Sequence, residues 1–512
     1  MLVKTYAAAV HGINATTITV EVNLSQGINF FIVGLPDNAV KESQRRIDAA
    51  LKNTGYDIKH RKVIINLAPA DIRKEGSAYD LPLAMGILAA YELLPVSQLD
   101  KYILMGELSL DGTLQKIRGA LPMAINAKEK GFKGIIVPVE NAKEAAVIKE
   151  IDVYGMKNIM EVTTFLSGQR TFQPIQVDIE KEFYMNVNQY DNDFSEVKGQ
   201  VKVKRALEIA AAGSHNLIMV GPPGSGKTML AKRLPGILPP LSLEEALETT
   251  KIHSVAGKIE NNSSLVIRRP FRDPHHTISD IALVGGGTYP QPGEISLTHN
   301  GVLFMDELPE FKRNVLEVLR QPLEGRMITI SRAKFSIEYP SSFMLVASMN
   351  PCPCGFYNHP ERECVCPAGA VQKYLSRISG PLLDRIDIHI EVVPVTFDKM
   401  SQLQTAETSS NIRERVIKAR KIQQLRFSGH RNIHCNAQMS SKLMYTYCRP
   451  DQAGLAILKT AMEKLNLSAR AYDRILKVSR TIADLDESDS IKSYHISEAV
   501  NYRNLDREGW GG

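Results

Sequence analysis

Residues 216–234 of the chain read NLIMVGPPGSGKTMLAKRL, an apolar run followed by a turn rich in glycine and proline and then a helical segment. The turn matches the phosphate-binding pattern G-x-x-x-x-G-K-[ST] in the strand–loop–helix context that this pattern requires. Glycines let backbone N–H groups surround phosphate oxygens, and the helix N-terminus adds the positive end of its dipole. The residues that we expect to bind ATP are Gly221, Pro222, Pro223, Gly224, Ser225, Gly226, Lys227 and Thr228.

Two residues of this turn carry the chemistry. Lys227 is expected to reach the β- and γ-phosphates, and the hydroxyl of Thr228 is expected to bind Mg²⁺. A glycine-rich turn with no ligand is the alternative, but it would not need the Lys-Thr pair.

Polar residues end two further apolar runs. In GVLFMDEL (301–308) the run is followed by Asp306 and Glu307, and FMLVASMN (343–350) ends in Asn350. A continuous apolar run is typical of a buried parallel strand, whose carboxyl end opens onto the ligand crevice. We expect the strand that precedes Asp306 to be a neighbour of the strand that precedes the phosphate-binding turn. We expect Asp306 to hold Mg²⁺ through its water shell, Glu307 to orient the attacking water and Asn350 to sense the nucleotide. A solvated acidic turn is the alternative for the carboxylate pair.

Two arginines are candidates for contact with the transferring phosphoryl group. Arg385 follows an apolar turn and precedes a strand, whereas Arg470 begins a helix near the C-terminus. A planar guanidinium suits the charge that spreads over phosphate oxygens. We expect one to act as a finger on a neighbouring subunit's ATP and the other as a sensor in a helical lid. Arg377 and Arg474 are the next candidates, and ordinary ion pairs are the alternative.

Composition places the chain among soluble globular proteins. Its 512 residues are 44% hydrophobic and 23% charged, and no stretch approaches the length of a membrane span or a secretion signal. We expect a cytoplasmic protein without membrane contact. The net charge of +6 is uneven, because residues 401–480 carry 15 basic and 5 acidic residues. Such a basic region favours a polyanionic partner or a solvated helical surface.

Alternation of apolar runs divides the chain into four segments. Residues 1–168 mix strands and helices and indicate an α/β or α+β domain, and residues 169–192 have no helical period and are interpreted as a linker. Residues 193–395 alternate strands and helices around the phosphate-binding turn. Residues 396–512 are mostly helical by period and form the basic C-terminal part.

Four of the six cysteines lie close together in the sequence. They are Cys352, Cys354, Cys364 and Cys366, arranged as two C-x-C pairs. Four thiolates can hold a structural, tetrahedral Zn²⁺, and a reduced cytosol disfavours disulfides. We expect zinc here, with His359 as a spare ligand and free thiols as the alternative. Because the cysteines follow Asn350, we also expect their loop to brace the segment leading to Arg385.

Together these motifs resemble one family. The phosphate-binding turn, MDEL, the sensor asparagine, LLDRID (382–387) and SARAYDRILKVSRTIADL (468–485) are similar to the YifB/ComM family in the magnesium-chelatase-like branch of AAA+ ATPases. The resemblance covers essentially the whole chain. It implies an AAA+ P-loop ATPase core with a helical lid, preceded by a Lon-protease-like (ribosomal S5 domain 2-like) α+β domain. It also implies hexameric rings, with Arg385 acting across a subunit interface, and DNA branch migration in recombination or natural transformation.

The resemblance also identifies elements that could hold DNA. RMITISRAKFSIEYP (326–340) contains two short strands and a tight turn with Arg332 and Lys334, in the position of this branch's pre-sensor hairpin. A basic tip would contact phosphates without sequence preference, although a charged surface hairpin is the alternative. ALVGGGTYPQPGEISL (282–297) resembles the helix-2 insert. RRPFRDPHH (268–276) could contact either DNA or a neighbouring subunit.

The N-terminal domain resembles a Lon-type protease domain without its dyad. A Ser-Lys dyad uses the lysine as base for the serine. The aligned positions are Ala78 and Leu121 here, so we expect a scaffold or DNA-binding role. Ser77, with Lys74 or Lys116, is the remaining way to build a dyad.

Two other functions compete with a DNA motor. Metal insertion into a porphyrin is suggested by the chelatase resemblance, but the ATPase subunit of that system lacks the Lon-like domain. ATP-driven protein remodelling or peptidase activity is the third possibility. An aromatic, hydrophobic pore loop would favour protein as the substrate, and the basic hairpin favours DNA.

Overall fold

The computed structural model describes residues 2–58, 61–186, 190, 192–260, 263–287, 290–332, 335–357, 359, 361–395, 406–430, 433–465 and 467–503. An N-terminal mixed domain, a parallel-sheet core and a helical lid follow one another along the chain. No helix among these residues has the length and hydropathy needed to cross a membrane.

The N-terminal domain is built on a mixed seven-stranded sheet. The strands of the domain are β1 (Leu2–His11), β2 (Asn14–Ser25), β3 (Phe30–Val33), β4 (Lys62–Ala68), β5 (Tyr102–Leu104), β6 (Glu107–Leu108), β7 (Leu114–Gln115), β8 (Gly134–Pro138) and β9 (Asp152–Met156). Its helices are α1 (Asn38–Asn53), α2 (Asp80–Ala90), α3 (Ala120–Glu129), α4 (Val139–Ala145) and α5 (Ile159–Leu166). The sheet order is β3-β4-β2-β1-β5-β8-β9, while β6 and β7 form a separate ribbon.

Packing explains why these segments adopt their structures. Strand β2 buries alternate residues, which is the pattern of a strand with one covered face. Every residue of α2 is buried, in agreement with its almost unbroken apolar sequence. Helix α1 begins after Asp37, whose side chain accepts a hydrogen bond from the N–H of Val40, so that Pro36 lies before the cap. The mixed sheet confirms the α+β prediction for this block.

The segment interpreted as a linker contains a helix. Helix α6 (Ile179–Asn186) lies within residues 169–192, and the N–H of Ile175 donates to the carbonyl of Val153 on β9. Ile179 also belongs to a small apolar cluster with Leu121 and Leu265. The segment is therefore packed between the N-terminal domain and the core, and the absence of a clear sequence period did not exclude a short helix.

The core has a five-stranded parallel sheet with the order β11-β14-β17-β10-β18. Its strands are β10 (Leu217–Val220), β11 (Phe271–Arg272), β14 (Val302–Met305), β17 (Met344–Met349) and β18 (Ile388–Glu391), and the hairpin strands are β12 (Gly285–Gly286), β13 (Gln291–Pro292), β15 (Met327–Arg332) and β16 (Phe335–Pro340). Its helices are α7 (Val201–Gly213), α8 (Lys227–Arg233), α9 (Leu243–Val255), α10 (Asp280–Val284), α11 (Glu294–Leu297), α12 (Arg313–Glu317), α13 (Arg320–Gly325), α14 (Ala370–Leu375) and α15 (Gly380–Leu383). This sheet confirms the predicted P-loop core.

The strand order corrects one detail of the sequence analysis. We expected the carboxylate strand to be next to the strand of the phosphate-binding turn. Instead β17, which ends before Asn350, lies between β10 and β14. The sensor residue therefore stands between the phosphate-binding turn and the carboxylate pair.

The lid is helical and packs on the core. Its helices are α16 (Ser409–Arg426), α17 (Ser441–Tyr447), α18 (Gln452–Lys464), α19 (Ala469–Leu485) and α20 (Ser493–Asn501). Asp484 is buried and forms ion pairs with Arg426 and Arg480, which joins α16 to α19. Apolar residues of the lid and of α7 share one cluster, so the lid completes the core of the ATPase part.

Helices α3 and α9 join the N-terminal domain to the core. The N–H of Gly119 donates to the carbonyl of Ser254 over 3.0 Å, and the hydroxyl of Ser254 donates to the buried carboxyl of Glu144. Burial raises the pKa of Glu144, and its hydrogen bond from Ser254 opposes the shift. This contact is polar and buried on both sides, so the two parts meet at a defined geometry.

Candidate nucleotide site and its surroundings

The phosphate-binding turn needs its glycines for two different reasons. Gly224 and Gly226 have φ angles of 76° and 89°, in the left-handed region that other residues rarely adopt. At Gly221 a Cβ atom would lie 2.2 Å from the carbonyl oxygen of Val392, so only glycine fits there. The turn after β10 is thus held in one shape, at the carboxyl edge of the sheet.

Lys227 lies inside this turn. Its ammonium donates to the carbonyls of Gly221 and Pro222 over 2.8 and 3.0 Å and to Oδ1 of Asn350 over 3.2 Å. Burial lowers its pKa, and Asp306 and Glu307 oppose the shift. The ends of β10 and β17 therefore meet at one cation.

Thr228 and the carboxylate strand meet directly. The hydroxyl of Thr228 donates to Oδ2 of Asp306 over 2.6 Å, and the hydroxyl of Ser348 donates to the other carboxylate oxygen. The two groups that we expect near Mg²⁺ are therefore within one hydrogen bond of each other. Ser348, on β17, was missed because a serine inside an apolar strand gives no distinctive signal.

Glu307 adopts an unusual backbone conformation. Its φ angle is 54°, and its N–H donates to Oδ1 of Asp306 over 3.0 Å. Its side chain is 56% exposed and lies 3.5 Å from Nδ1 of His276. The carboxylate thus faces the crevice and has a histidine partner, which the sequence analysis had assigned only to DNA or a neighbouring subunit.

The donors and acceptors around the turn fit a magnesium nucleotide. Within the described residues, the buried hydroxyl of Ser225 has no hydrogen-bond partner. Lys227 donates to neutral oxygens of the turn and of Asn350, and it would exchange them for charged phosphate oxygens. Thr228 and Asp306 supply the oxygen ligands that Mg²⁺ prefers.

A cavity of about 850 Å³ lies at the end of β18, and Glu391 in β18 pairs with Val220 immediately before the turn. It is lined by residues 198–205 and 208, by 391 and 393–395, by 406 and 407, and by Ile412 and Arg415 of α16. The volume is within the range of cofactor pockets, roughly 300–1,000 Å³. The sequence analysis did not find this cavity, because it is formed by three segments that are distant in the chain.

Three of the four candidate arginines, Arg385, Arg470 and Arg474, lie at the other edge of the sheet. Leu217 of β10 is opposite Ile388 of β18 in a parallel pair, so the residues that precede β18 are at its amino edge. The carbonyl of Arg385 accepts a hydrogen bond from Asn216, which comes just before β10. The phosphate-binding turn, residues 221–228, is the nucleotide cradle and follows the opposite end of β10. Arg385 and the cradle of its own chain therefore lie at opposite edges of the sheet.

Their side chains differ in exposure. Arg385 is 7% exposed and lies 2.7 Å from Glu324, whereas Arg470 is 58% exposed and lies 3.4 Å from Asp384. Arg474 is paired with the buried Asp387 over 3.0 Å. The fourth candidate, Arg377, is paired with Glu310 over 3.0 Å, just after the carboxylate strand. Of the candidates at the amino edge, Arg470 is the one most open to a neighbouring molecule.

The two predicted insertions are hairpins that touch each other. Strands β15 and β16 pair antiparallel, and the hydroxyl of Tyr339 donates to the carbonyl of Pro290 in the helix-2 insert over 2.9 Å. Lys334 and the side chain of Arg332 lie outside the described residues. In the middle of the hairpin, Ile337 is 3.2 Å from where a Cβ of Gly12 would lie, in the turn between β1 and β2.

Basic residues in the segment 268–276 form internal contacts. Arg269 is paired with Glu245 over 2.9 Å, and Arg272 is paired with Glu294 over 2.6 Å. These arginines bind residues of their own chain, and Arg272 belongs to edge strand β11. These ion pairs account for Arg269 and Arg272 without a contact to DNA or to a neighbouring subunit.

The four predicted zinc ligands form one cluster. Their Sγ atoms all lie within 4.8 Å of one another, with Cys352 and Cys364 separated by 3.8 Å. A tetrahedral Zn²⁺ with bonds of about 2.3 Å places its sulfurs ~3.8 Å apart, so the four thiols fit zinc. His359 instead accepts hydrogen bonds from the N–H groups of Glu361 and Arg362 and is not in the cluster.

The cysteine loop packs on the phosphate-binding turn. Gly355, between the two cysteine pairs, has a φ angle of 85°, and a Cβ there would lie 2.4 Å from the ring of Pro223. We had expected this loop to brace the segment leading to Arg385. Its contact with Pro223 connects it to the cradle instead.

Candidate dyad residues in the N-terminal domain have other partners. The hydroxyl of Ser77 donates to Glu107, and the ammonium of Lys74 donates to the carbonyl of Pro69. Lys116 donates to the carbonyl of Ile259 in the core over 3.0 Å. The described contacts of Ser77 thus give it a carboxylate partner, which does not activate a serine as a lysine base would.

Comparison with known proteins agrees with this architecture. The family models described as "Subunit ChlI of Mg-chelatase", "Magnesium chelatase, subunit ChlI" and "Magnesium chelatase, subunit ChlI C-terminal" match residues 20–141, 193–400 and 406–503. Lon protease 2 of Bacillus subtilis is 30% identical over 147 residues, which are 28% of this chain and 26% of that protein. This local match agrees with the Lon-like part of the fold.

Two relatives match over almost their whole length. Competence protein ComM of Haemophilus influenzae is 44% identical over 505 residues, covering 98% of this chain and 97% of that protein. The protein YifB of Escherichia coli is 44% identical over 509 residues, covering 99% and 97%. The chain belongs to the YifB/ComM family of magnesium-chelatase-like ATPases.

Proposed function

We propose that the protein is a DNA motor of the helicase or branch-migration type, which hydrolyses ATP and acts as a hexameric ring on recombination intermediates in DNA repair or natural transformation. One observation supports the ATPase activity in this proposal: four side chains converge at one edge of the sheet. Lys227 bonds Asn350, and Thr228 bonds Asp306. The action on DNA is supported by the hairpin with Arg332 and Lys334 and by the competence protein among the relatives.

ATP binding uses the turn and the adjoining cavity. The phosphates lie against residues 221–228, and the base and ribose occupy the cavity of about 850 Å³ next to β18. Thr228 and Asp306 hold Mg²⁺, which supplies charge neutralisation at the phosphate oxygens. Lys227, already desolvated, binds the same oxygens in a site of low dielectric, where its charge acts strongly.

Glu307 orients the water that attacks the terminal phosphate. Its exposed carboxylate faces the crevice, and His276 limits its rotation from the other side. Asn350 reports the state of the site, because its side chain already bonds Lys227. Phosphoryl transfer needs positioning and charge stabilisation more than a strong base, so these neutral and weakly basic groups are sufficient.

The positions of the arginines support the proposed ring. Arg385 and Arg470 are at the sheet edge opposite the cradle of their own chain, so each is better placed to serve a neighbouring subunit. Arg470 is exposed, whereas Arg385 would have to leave Glu324 to reach a neighbour. The sequence analysis assigned one finger and one lid sensor; in our proposal both act across the interface.

DNA is held by the hairpin tips inside the ring. Arg332 and Lys334 contact backbone phosphates, which gives affinity without sequence preference and with strong dependence on salt. Movement reaches the tips through the bond between Tyr339 and the helix-2 insert. The four-cysteine cluster binds a structural Zn²⁺ that keeps the loop on Pro223 in place.

The test measures ATP hydrolysis and strand migration on a three- or four-way junction by the purified full-length protein. DNA should stimulate hydrolysis, and Arg332→Ala with Lys334→Ala should keep basal hydrolysis while removing the stimulation. Lys227→Ala should abolish both activities. Equal hydrolysis with and without DNA, at low salt, would refute the motor.

Two alternatives give different outcomes in the same assay. A chelatase-type ATPase would be stimulated by partner subunits and a porphyrin rather than by DNA. A protein-remodelling ATPase would be stimulated by an unfolded polypeptide.

A further inference from the structure

A second cavity, of about 370 Å³, lies between the core and the lid. Asn216, Gly301 and Met344 line its floor, and these residues precede β10, β14 and β17 or begin them. The cavity is therefore at the amino edge of the parallel sheet, across from the phosphate-binding turn. Its volume is near the lower end for small-ligand sites, roughly 300–1,000 Å³.

Its walls carry an excess of positive charge. Five of the lining residues are cationic, namely Arg269, Arg326, Arg420, Arg474 and Lys477, and three are carboxylates. Cations come from both sides, because Arg269 and Arg326 belong to the core and the other three belong to α16 and α19 of the lid. Without a ligand, a surplus of buried charge is costly.

The carboxylates do not neutralise this excess. Glu245 is paired with Arg269, and Asp387 is paired with Arg474. Glu324 is paired with Arg385, which is a further buried cation behind the wall. Each carboxylate is thus committed to an arginine.

Two lid cations are left with neutral partners. Arg420 is half-buried and donates to the carbonyl of Ala211 and the hydroxyl of Ser214, and its buried Nε–H has no partner among the described residues. Lys477 donates to the carbonyl of Ala437 over 3.2 Å. Neither forms an ion pair with a carboxylate in the part of the chain that the structure describes. The cavity therefore offers unused donors as well as unbalanced charge.

We propose that this cavity binds a small anion of the phosphate class, at a site separate from the nucleotide cradle. A tetrahedral anion with several oxygens suits donors that arrive from α16, from α19 and from the turn at Arg326. A planar carboxylate would accept hydrogen bonds from fewer of these donors. The bound anion joins the lid to the core, so its occupancy sets how firmly the lid is held.

The test uses the full-length protein with Lys227→Ala, so that the cradle no longer competes for phosphate. Calorimetry with inorganic pyrophosphate should show one saturable site per chain. A separate titration with AMP distinguishes binding of a phosphorylated nucleoside from binding of a free anion. Adding Lys477→Met should weaken binding by at least about tenfold, equivalent to ~1.4 kcal/mol. Lys459→Met, an exposed lysine of α18, loses the same charge and should leave binding unchanged.

Binding should also raise the melting temperature, because a ligand stabilises the state that binds it. Arg420→Gln should reduce both effects, and Arg420→Lys should restore part of them. Lys477→Met replaces a half-buried charge by an apolar chain of similar length, so a variant that loses pyrophosphate binding but keeps an intact melting transition supports the site. Absence of saturable binding at millimolar pyrophosphate, or equal binding by Lys477→Met, would overturn the proposal. A failed anion site would leave the ATPase and DNA assays untouched.

Discussion

The hydroxyl of Thr228 donates a 2.6 Å hydrogen bond to the carboxylate of Asp306, although β17 lies between β10 and β14, the strands that precede these two residues. Ser348, on the intervening strand, donates to the second oxygen of the same carboxylate. Three strand ends thus converge on one acid. This convergence makes the behaviour of individual variants predictable.

Lys227→Ala should reduce ATP hydrolysis by about 100-fold or more, since a desolvated cation aimed at the phosphates stabilises the transition state. Phosphate release measures the effect. Lys232→Ala is the matched control, because Lys232 lies on the same helix, is half-exposed and has only a distant carboxylate partner. Similar loss in both variants would contradict a specific role for Lys227.

Glu307→Gln should keep nucleotide binding but slow hydrolysis by roughly 100-fold, because the amide cannot orient and polarise water as the carboxylate does. Binding of a labelled nucleotide and single-turnover phosphate release separate the two steps. His276→Ala should cause a smaller loss of rate, since it removes only the partner of Glu307. If Glu307→Gln lost binding instead, the residue would be holding the nucleotide.

Mixing inactive variants tests the position of Arg470. Subunits with Lys227→Ala keep their arginines, and subunits with Arg470→Ala keep their cradle, so a mixed ring contains some complete interfaces. We expect hydrolysis to reappear on mixing, because Arg470 lies at the edge opposite its own cradle. A mixture that stays as inactive as its components would place the action of Arg470 within its own subunit.

Removal of zinc should weaken ATP binding as well as stability. The loop at Gly355 rests on Pro223 of the cradle, so loss of the cluster loosens the turn. Metal analysis should find about one zinc per chain, and Cys354→Ser should lose it and lower the melting temperature. Cys448→Ala should keep its zinc, because this cysteine is buried in the lid. Purified protein without zinc, yet with full ATP affinity, would contradict the claim.

Stability should depend on pH through Lys477. Burial, followed by the nearby charge of Arg474, lowers the pKa of Lys477 from 10.5 to about 8. Between these values the unfolded chain holds a proton that the folded chain has released, so the free energy of unfolding rises with pH. Lys477→Met should remove this rise and be more stable at pH 7, by something of the order of 2 kcal/mol. Urea unfolding from pH 7 to 10.5 measures the difference, and two parallel curves would contradict it.

The sequence predicted those parts of the fold and the site that depend on local pattern. The turn at 221–228, the apolar strands before Asp306 and Asn350, and the hairpin 327–340 all have short-range signals, and the structure has each element where it was expected. The α+β and P-loop classes were confirmed, as was the family. The roles of the arginines, the zinc and the DNA contacts stay predictions.

What the sequence could not give depends on strand order and packing. No local pattern says that β17 lies between β10 and β14, and so neither Ser348 nor the edge at which Arg470 lies could be inferred. The partner of Glu307, His276, comes from a segment that composition alone made look like a basic surface. Helix α6 was missed for another reason, because its eight residues are too short to show a clear period.

The close approach of Gly12 to Ile337 connects the turn between β1 and β2 to the middle of the pre-sensor hairpin. In the motor that we propose, a hairpin that moved during hydrolysis would press on this turn and, through it, on the sheet of the N-terminal domain. The N-terminal domain would then support the moving hairpin, a mechanical use that needs no protease chemistry.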